Sequence, residues 1–248
     1  MASTRRSRDV RIGTWPHDAT VALITQRDHT VTVDPDDLHD AIAQARRDGR
    51  RAVRTSALLE PSAAVAAEMG FECIDTLVLL ARLIDTTRTV NPRRTPADRS
   101  RLGALRRWHL RRAAALDRAA FGPLWAMDRA ALAAIGRATP RHWARQVTVD
   151  TGAMAGFVIL GLGYRDPHEA TTTGYLQRLS VDPDHQGRGL GGVLVDAALS
   201  ILAAAGATRV MVNTGVDNHR ALALYRSFGF EPTGAQMSVW EHRLDRSE

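Results

Sequence analysis

The stretch from Val181 to Gly192 reads VDPDHQGRGLGG and decides the fold of the sequence around it. Apolar alternation before it predicts a strand over 175–181, and the apolar residues at helical spacing after Leu190 predict a long helix. Glycines lack side chains, so backbone N–H groups of the loop can converge on an anion, and the start of the helix adds partial positive charge. The stretch therefore predicts a strand, a phosphate-binding loop and a helix.

Two common nucleotide-binding loops do not fit this stretch. Gly187, Gly189 and Gly192 satisfy G-x-G-x-x-G, but five residues separate Val181 from the first glycine, whereas in a dinucleotide fold the glycine follows the strand almost directly. The position about 20 residues further on, where an acidic residue would bind ribose, holds 211–213 (MVN). The chain contains no lysine, so the Gly-Lys-Ser/Thr of a nucleoside triphosphate loop is absent. Neither class of nucleotide is the expected ligand.

Further matches in the correct order identify a family that the sequence resembles. They are Leu179-Ser180-Val181-Asp182-Pro183, Gln186-x-x-Gly189-x-Gly191, Asn218 and Ala223-Leu224-Tyr225-Arg226-Ser227-Phe228-Gly229-Phe230. From about Leu105 to the C-terminus the sequence resembles the GNAT superfamily of N-acetyltransferases, and within it the ribosomal-protein N-terminal acetyltransferase branch. The resemblance implies an α/β fold with a mixed central sheet flanked by helices, and acetyl-CoA as co-substrate.

The resemblance also implies roles for individual residues. Leu179, Ser180 and Val181 would offer backbone groups to the pantetheine arm of CoA. A loop would bind the pyrophosphate, and two downstream residues match positions that contact the cofactor. The loop residues are Gln186, Gly187, Arg188, Gly189, Leu190 and Gly191, and the downstream residues are Asn218 and Ser227.

Tyr225 matches the general acid of the family. An amine attacks the thioester carbonyl, and the leaving thiolate benefits from a proton. A tyrosine hydroxyl with a reference pKa of about 10 can supply that proton to a thiolate whose conjugate acid has a pKa of about 8.5, if it lies within hydrogen-bond reach. The alternative is an ordinary core aromatic, because Ala221, Leu224 and Phe228 share its helical face.

A general base is harder to name. The glutamate expected in the N-terminal acetyltransferase branch aligns with Asn213, and an amide cannot accept the proton. Asp217, His219 and His185 are near in sequence, but each is better explained as a solvated or loop-capping residue. The amine would then lose its proton to water or reach the site already neutral.

The first half of the chain repeats part of this pattern in a shortened form. Residues 33–36 (VDPD) match 181–184 (VDPD), and residues 69–72 (MGFE) match 228–231 (FGFE). The alternative is a chance likeness of two α/β stretches. Ala66 stands at the position of Tyr225, and no Q-x-x-G-x-G follows the first Asp-Pro, so this half is expected neither to bind CoA well nor to catalyse.

The predicted order of strands and helices divides the chain into three parts. We expect a degenerate GNAT-like half-domain at 1–88, a proline-containing linker at 89–104 and a catalytic GNAT domain at 105–248. In the first part, residues 31–33 (VTV) predict a short strand, and Leu38, Ala41, Ile42 and Ala45 predict one face of a helix.

Composition limits the other classes of function. All 33 basic side chains are arginines in a chain of 248 residues, but no nucleic-acid-binding motif accompanies them, which argues against a nucleic acid partner. No apolar run is long enough to cross a membrane, so we expect a cytoplasmic protein. Cys73 is the single cysteine, expected to be buried and inert, and the nine histidines show no metal-ligand spacing, so we expect no metal.

These observations predict an N-acetyltransferase that moves an acetyl group from acetyl-CoA to a primary amine by direct attack, with Tyr225 as general acid. Residues 115–125 (ALDRAAFGPLW) lie where family members build the acceptor site and resemble the N-terminal acetyltransferase branch. A protein N-terminus is thus the first acceptor to test and a small amine the second. The alternatives are a non-catalytic CoA-binding sensor, kept open by Asn213, and an arginine-rich DNA-associated scaffold; the sequence leaves the oligomeric state open.

Overall fold

The structure is a computed structural model that describes residues 9–16, 18–26, 28, 31–84, 100–166 and 170–244, without the side chains of Pro123 and Leu124. The chain forms two compact units. The first takes the described part of Met1–Leu79 with Thr214–Asp217 and Gly234–Glu248, and the second takes the described part of Leu80–Asn213 with Asn218–Thr233. The C-terminal segment therefore belongs to the first unit.

Strands and helices alternate along the chain. In order they are β1 (Val10–Trp15), β2 (Asp18–Gln26), α1 (Pro35–Arg47), β3 (Ala52–Thr55), β4 (Leu58–Leu59), α2 (Ser62–Glu68), β5 (Glu72–Leu83), β6 (Arg101–Ala104), α3 (Leu110–Trp125), α4 (Arg129–Gly136), β7 (Arg141–Thr148), β8 (Met154–Arg165), β9 (Thr172–Val181), α5 (Leu190–Ala204), β10 (Arg209–Gly215), α6 (His219–Ser227) and β11 (Glu231–Arg243). Short 3-10 helices lie at Arg107–His109 and Pro183–His185. The predicted α/β class, a mixed sheet flanked by helices, is confirmed.

The first unit is a mixed sheet covered by α1 and α2. β1 is antiparallel to β2, β2 is parallel to β3, and β3 is antiparallel to β11. The predicted apolar face of α1 is buried in the core of this unit. The strand expected at 31–33 is wrong: β2 ends at Gln26, and the backbone N–H of the buried Val33 donates to Ser62 Oγ at 3.0 Å instead of joining a ladder.

The second unit has an antiparallel run of β6, β7, β8 and β9, with β10 parallel to β9. Side chains of β8 alternate between its two faces. Phe157 and Ile159 are buried against Leu116 of α3 and Leu132 of α4. On the other face, a Cβ added at Gly156 would lie 3.1 Å from Leu194 of α5, so this glycine admits the helix close to the sheet. The sheet is therefore sandwiched between helices.

The two units share a helix-ending motif, which supports the repeat predicted from the sequence. After α2, the N–H of Phe71 donates to Ala66 O at 3.1 Å, and after α6 the N–H of Phe230 donates to Tyr225 O at the same distance. The preceding glycines have left-handed φ angles of 78° and 74°. Ala66 thus occupies the position of Tyr225, as the sequence alignment of the two halves predicted.

The structure bears on two further expectations, the linker at 89–104 and the buried Cys73. Residues 85–99 lie outside the described residues, and 101–104 of the expected linker form β6, so the domain limits stay a prediction. The expectation of a buried Cys73 is wrong, because this residue is exposed near the start of the strand β5. No helix within the described residues is long and apolar enough to cross a membrane.

Replacing Gly229 by Ala should lower the free energy of unfolding by about 1–2 kcal/mol, because its φ of 74° is left-handed. A Cβ there would meet no atom within 4 Å, so backbone strain would be the only cost. The control is Gly103→Ala in β6, where φ is not positive and space is also open. Urea unfolding followed by circular dichroism should separate the two variants; equal midpoints would contradict the proposed strain.

Candidate functional site

The strand β9 carries a β-bulge next to the predicted binding residues. Its register with β8 shifts between Ile159 and Leu160, which leaves Gln177 as the extra residue. Within the described register, β10 pairs with β9 only over 173–175. From the bulge onward, the edge of β9 that faces β10 is therefore open to a ligand.

A cavity of about 410 Å³ lies beside this open edge, within the second unit. Its wall combines the end of β9, the glycine loop, the start of α5, α6 and the C-terminal part of α3. It includes most of the predicted binding residues: Leu179, Ser180, Val181, Gln186, Gly187, Gly189, Leu190, Gly191 and Asn218. Three predicted residues, Arg188, Ser227 and Tyr225, are not among those that line it.

The conformation of the loop depends on two glycines and one amide. Gly187 and Gly189 both have a left-handed φ of 80°, which other residues adopt only with strain. The Gln186 side chain donates from Nε2 to Val181 O at 3.0 Å and accepts a hydrogen bond from Arg220 on α6. The loop is thus fixed to the end of β9 and to α6.

The start of α5 is left without a capping side chain. Gly189 is its N-cap, no side chain bonds there, and the first turn contains no acidic residue. The first intrahelical bond is donated by Val193, so the preceding N–H groups have no partner within the helix. These donors and the helix dipole make the place suited to a phosphate group.

The corresponding helix of the first unit starts in the opposite way. Asp34 directly precedes α1 and accepts from the N–H of Asp36 at 3.0 Å, and Asp36 and Asp37 are both in the first turn. Carboxylates at a helix start occupy the positive end of the dipole and repel an anion. The same Asp-Pro-Asp sequence therefore leads to a helix start suited to an anion in the second unit and to an acidic, capped helix start in the first.

Close approach of α5 and α6 depends on Gly191. A Cβ at this position would lie 3.2 Å from Leu224 of α6, closer than ordinary van der Waals contact. On α6, Asn218 is the N-cap and accepts from the N–H of Ala221 at 3.1 Å while it also lines the cavity. Ser227 is exposed, and its hydroxyl donates to Leu224 O at 2.7 Å.

Tyr225 is buried, with 5% of its surface exposed, and its ring lies edge-on to Phe230 at 5.6 Å. Burial raises the pKa of its hydroxyl to about 12, while the positive charge of Arg178 acts in the opposite direction. The residue belongs to the core packing of α6, as the alternative interpretation of the sequence held. Its predicted role as an acid stays open on this geometry.

The residues considered as the general base lie in different places relative to the cavity. Asn213 is exposed on β10, and His185 lines the cavity with Nδ1 3.7 Å from Asp182 Oδ1. None of the described residues that line the cavity is an aspartate or glutamate. No group of three or more His, Cys, Asp or Glu within the described residues could hold a metal ion.

Sequence reasoning missed several residues of the site. Arg220 lines the cavity without having been predicted, and Phe121 lines it as a member of the stretch 115–125 that was expected at the acceptor site but not singled out by residue. Behind it, Arg178 of β9 forms an ion pair with Asp117 of α3 at 2.7 Å, and the carboxylate is fully buried. A single aspartate within the apolar run of α3 was the available signal, but its partner is 61 positions away in the sequence.

Comparison with known proteins supplies the family. The profile of the Acetyltransferase (GNAT) family matches residues 105–230, about half of the chain. A mycothiol acetyltransferase of Beutenbergia cavernae is 43% identical over 77 residues, which are 31% of this chain and 25% of that protein. N-alpha-acetyltransferase 30 of Schizosaccharomyces pombe is 32% identical over 85 residues, 34% of this chain and 55% of that protein. The matches thus span a quarter to about half of these relatives.

Solved structures extend the likeness to both units. A tandem GNAT protein from the clavulanic acid biosynthesis pathway has a TM-score of 0.68 at 20% identity, covering 96% of this chain and 79% of that one. A GCN5-related N-acetyltransferase from Sphaerobacter thermophilus has a TM-score of 0.63 at 11% identity, covering 96% and 77%. Such identities show the fold alone. With the family profile matched over the cavity-bearing region, the chain belongs to the acetyltransferase (GNAT) family.

Proposed function

We propose that the second unit is an acetyl-CoA-dependent N-acetyltransferase that acts on a primary amine. The observation that carries the proposal is the start of α5: uncapped N–H groups, two left-handed glycines and Arg220 surround one end of the cavity. The pyrophosphate of CoA fits this chemistry. The pantetheine arm would then run along β9 at 179–181 on the edge away from β8, where the pairing with β10 has ended.

The reaction needs one new bond and one broken bond. The amine nitrogen attacks the thioester carbonyl carbon, and the tetrahedral intermediate collapses as the bond from carbon to sulfur breaks. In this proposal, backbone N–H groups near the bulge at Gln177 would stabilise the oxyanion. The nitrogen loses a proton to water, since no carboxylate among the described residues lines the cavity.

Tyr225 is the proposed donor to the leaving thiolate. Because burial raises its pKa to about 12, above the value of about 8.5 for a thiol, it gives a proton only if the resulting phenolate is stabilised. Arg178 supplies the opposing positive charge. The tyrosine and the arginine therefore act together in this proposal.

The acceptor is proposed to be a polypeptide N-terminus, with a small amine as the second choice. The printed names of the relatives include both a protein N-alpha-acetyltransferase and mycothiol acetyltransferases. The helix α3, in which the sequence resembles the N-terminal acetyltransferase branch, contributes Ala120 and Phe121 to the cavity wall. It thus stands where an acceptor would approach the thioester.

A specific observation favours a second candidate, a CoA-binding sensor without turnover. Asn213 stands where the branch has a glutamate, and no carboxylate among the described residues lines the cavity.

One assay separates the two functions: acetyl-CoA is incubated with peptides that have free N-termini and with small primary amines, and thiol release is followed. Release above hydrolysis supports the enzyme, and CoA binding without such release supports the sensor. Steep salt-dependent affinity for duplex DNA would instead indicate an arginine-based scaffold.

The variant Tyr225→Phe should lower kcat about 100-fold or more while the KM for acetyl-CoA stays nearly constant, because only the proton donor is lost. Tyr175→Phe is the matched control, since Tyr175 lies in β9 outside the cavity wall. Initial rates of thiol release with the best acceptor measure both. A kcat for Tyr225→Phe within twofold of the unmodified protein would remove the tyrosine from the mechanism.

The variant Gly189→Ala should weaken CoA binding by roughly 5- to 30-fold, because the free loop would relax from the φ of 80° and CoA would have to restore it at a cost of about 1–2 kcal/mol. Gly206→Ala is the control, because Gly206 also has a positive φ, of 95°, and open space around it but follows the far end of α5. Titration calorimetry with CoA gives the dissociation constants. Equal weakening by both variants would argue against a pyrophosphate site at the loop.

The pH dependence of kcat should show no decline up to about pH 10.5. A tyrosine with its pKa raised to about 12 keeps its proton throughout this range, whereas one at the ordinary value of about 10 would lose it. Rising pH also deprotonates the acceptor amine, so kcat should rise and then stay level. Rates from pH 7 to 10.5, with recovery checked at pH 8, test this; a fall centred near pH 10 would contradict it.

A further inference from the structure

The side chain of Asp117 makes an unusually complete set of hydrogen bonds. It is fully buried. Its Oδ1 accepts from Arg178 Nε at 2.8 Å and from the Ser180 hydroxyl at 2.6 Å. Its Oδ2 accepts from Arg178 Nη2 at 2.7 Å and from the N–H of Met127 at 2.6 Å. One carboxylate therefore joins α3, the segment after α3 and β9.

Arg178 extends these connections to the cavity wall. Its Nη2 also donates to Trp125 O at 2.8 Å, and its guanidinium carbon lies 3.6 Å from the centre of the Phe121 ring. Phe121 and Ser180 both line the cavity. The arginine is thus held from one side by Asp117 and in turn holds an aromatic ring at the site.

The ion pair between Asp117 and Arg178 lies where β9 is no longer paired with β10. Arg178 directly follows the extra residue of the bulge, and the next residues, 179–181, form the strand wall of the cavity. Helix α3 contributes Ala120 and Phe121 to the same lining. The ion pair therefore joins α3 to β9, the two elements beside which the thioester would lie.

We propose that Asp117 and Arg178 are a positioning pair for acetyl transfer: Asp117 holds Arg178 so that Phe121 and the bulged part of β9 keep the spacing required by acetyl-CoA and by Tyr225. The inference rests on the function proposed above. Arg178 also exerts the charge that opposes the effect of burial on the Tyr225 hydroxyl. The arginine thereby connects the cavity wall with the proposed acid.

Stability alone does not account for such a pair. Removing two charges from water costs free energy that their attraction only partly returns, and apolar residues of similar size often replace a buried ion pair without loss of stability. Removing only one partner would leave an unpaired buried charge and would confuse function with folding. The test therefore replaces both residues at once, as Asp117→Leu/Arg178→Met.

The first unit offers a matched control. Arg54 and Glu241 form a second ion pair there, with side chains 8% and 10% exposed. Arg54 also stacks on an aromatic ring, with its guanidinium carbon 4.6 Å from the centre of the Trp15 ring. The variant Arg54→Met/Glu241→Leu therefore removes an equally buried, ring-stacked pair that lies in the unit without the cavity.

Both double variants should remain folded by circular dichroism. Only Asp117→Leu/Arg178→Met should weaken CoA binding in calorimetry, by about tenfold, and lower kcat on the order of 100-fold, the loss expected from misplacing reacting groups by about 1 Å. The variant Arg178→Lys keeps the charge but loses the forked hydrogen bonds. Its kcat should therefore lie between those of the double variant and the unmodified protein. If the control loses as much CoA affinity, or if the first variant binds CoA and turns over within twofold of the unmodified protein, the positioning role is wrong.

A double-mutant cycle tests the connection with Tyr225. If the pair acts through the tyrosine, Asp117→Leu/Arg178→Met should lower kcat much less in the Tyr225→Phe background than in the unmodified protein. Equal fold-losses in both backgrounds would overturn that connection. CoA affinity is measured without turnover, so a chain that binds CoA but never transfers acetyl would contradict the proposed function, while the calorimetric comparison would still decide the effect of the pair on the cavity.

Discussion

The site depends on one constraint, which is that α5 begins without a cap. A helix leaves its first N–H groups unbonded, and most helices satisfy them with a side chain. Here Gly189 supplies no side chain, and its left-handed φ turns the chain into the helix while leaving the donors exposed to the cavity. The bond from Gln186 to Val181 and the space beside Gly191 then bring the loop, β9 and α6 around those donors. Such a helix start favours the binding of an anion.

The two repeats show what happens when that constraint is removed. In the first unit the helix follows the Asp-Pro directly, so Asp34 becomes its cap and two further carboxylates fill the first turn. The repeat keeps the turn after α2, with Phe71 bonded to Ala66 as Phe230 is bonded to Tyr225. The first repeat therefore shares this turn with the second but has neither the uncapped helix start nor the tyrosine.

Sequence reasoning reached the parts of the protein that depend on local geometry. Glycines at left-handed positions, the Asp-Pro turn and the apolar face of α1 leave local signals, and the family and fold that they predicted are confirmed. The ion pair between Asp117 and Arg178 left almost none, because its two residues are 61 positions apart in the sequence. The strands β1, β2 and β6 were also missed, since their mixed sequences show no clear alternation. Site roles such as that of Tyr225 stay predictions.

Only the second repeat should bind CoA, because only its helix starts without a capping side chain. The stoichiometry of CoA binding to the full chain, measured by titration calorimetry at low salt, tests this directly. One site per chain is expected, and its affinity should fall as salt rises because CoA is an anion held at a positively polarised helix start. Two equivalent sites per chain, or no binding at all, would contradict it.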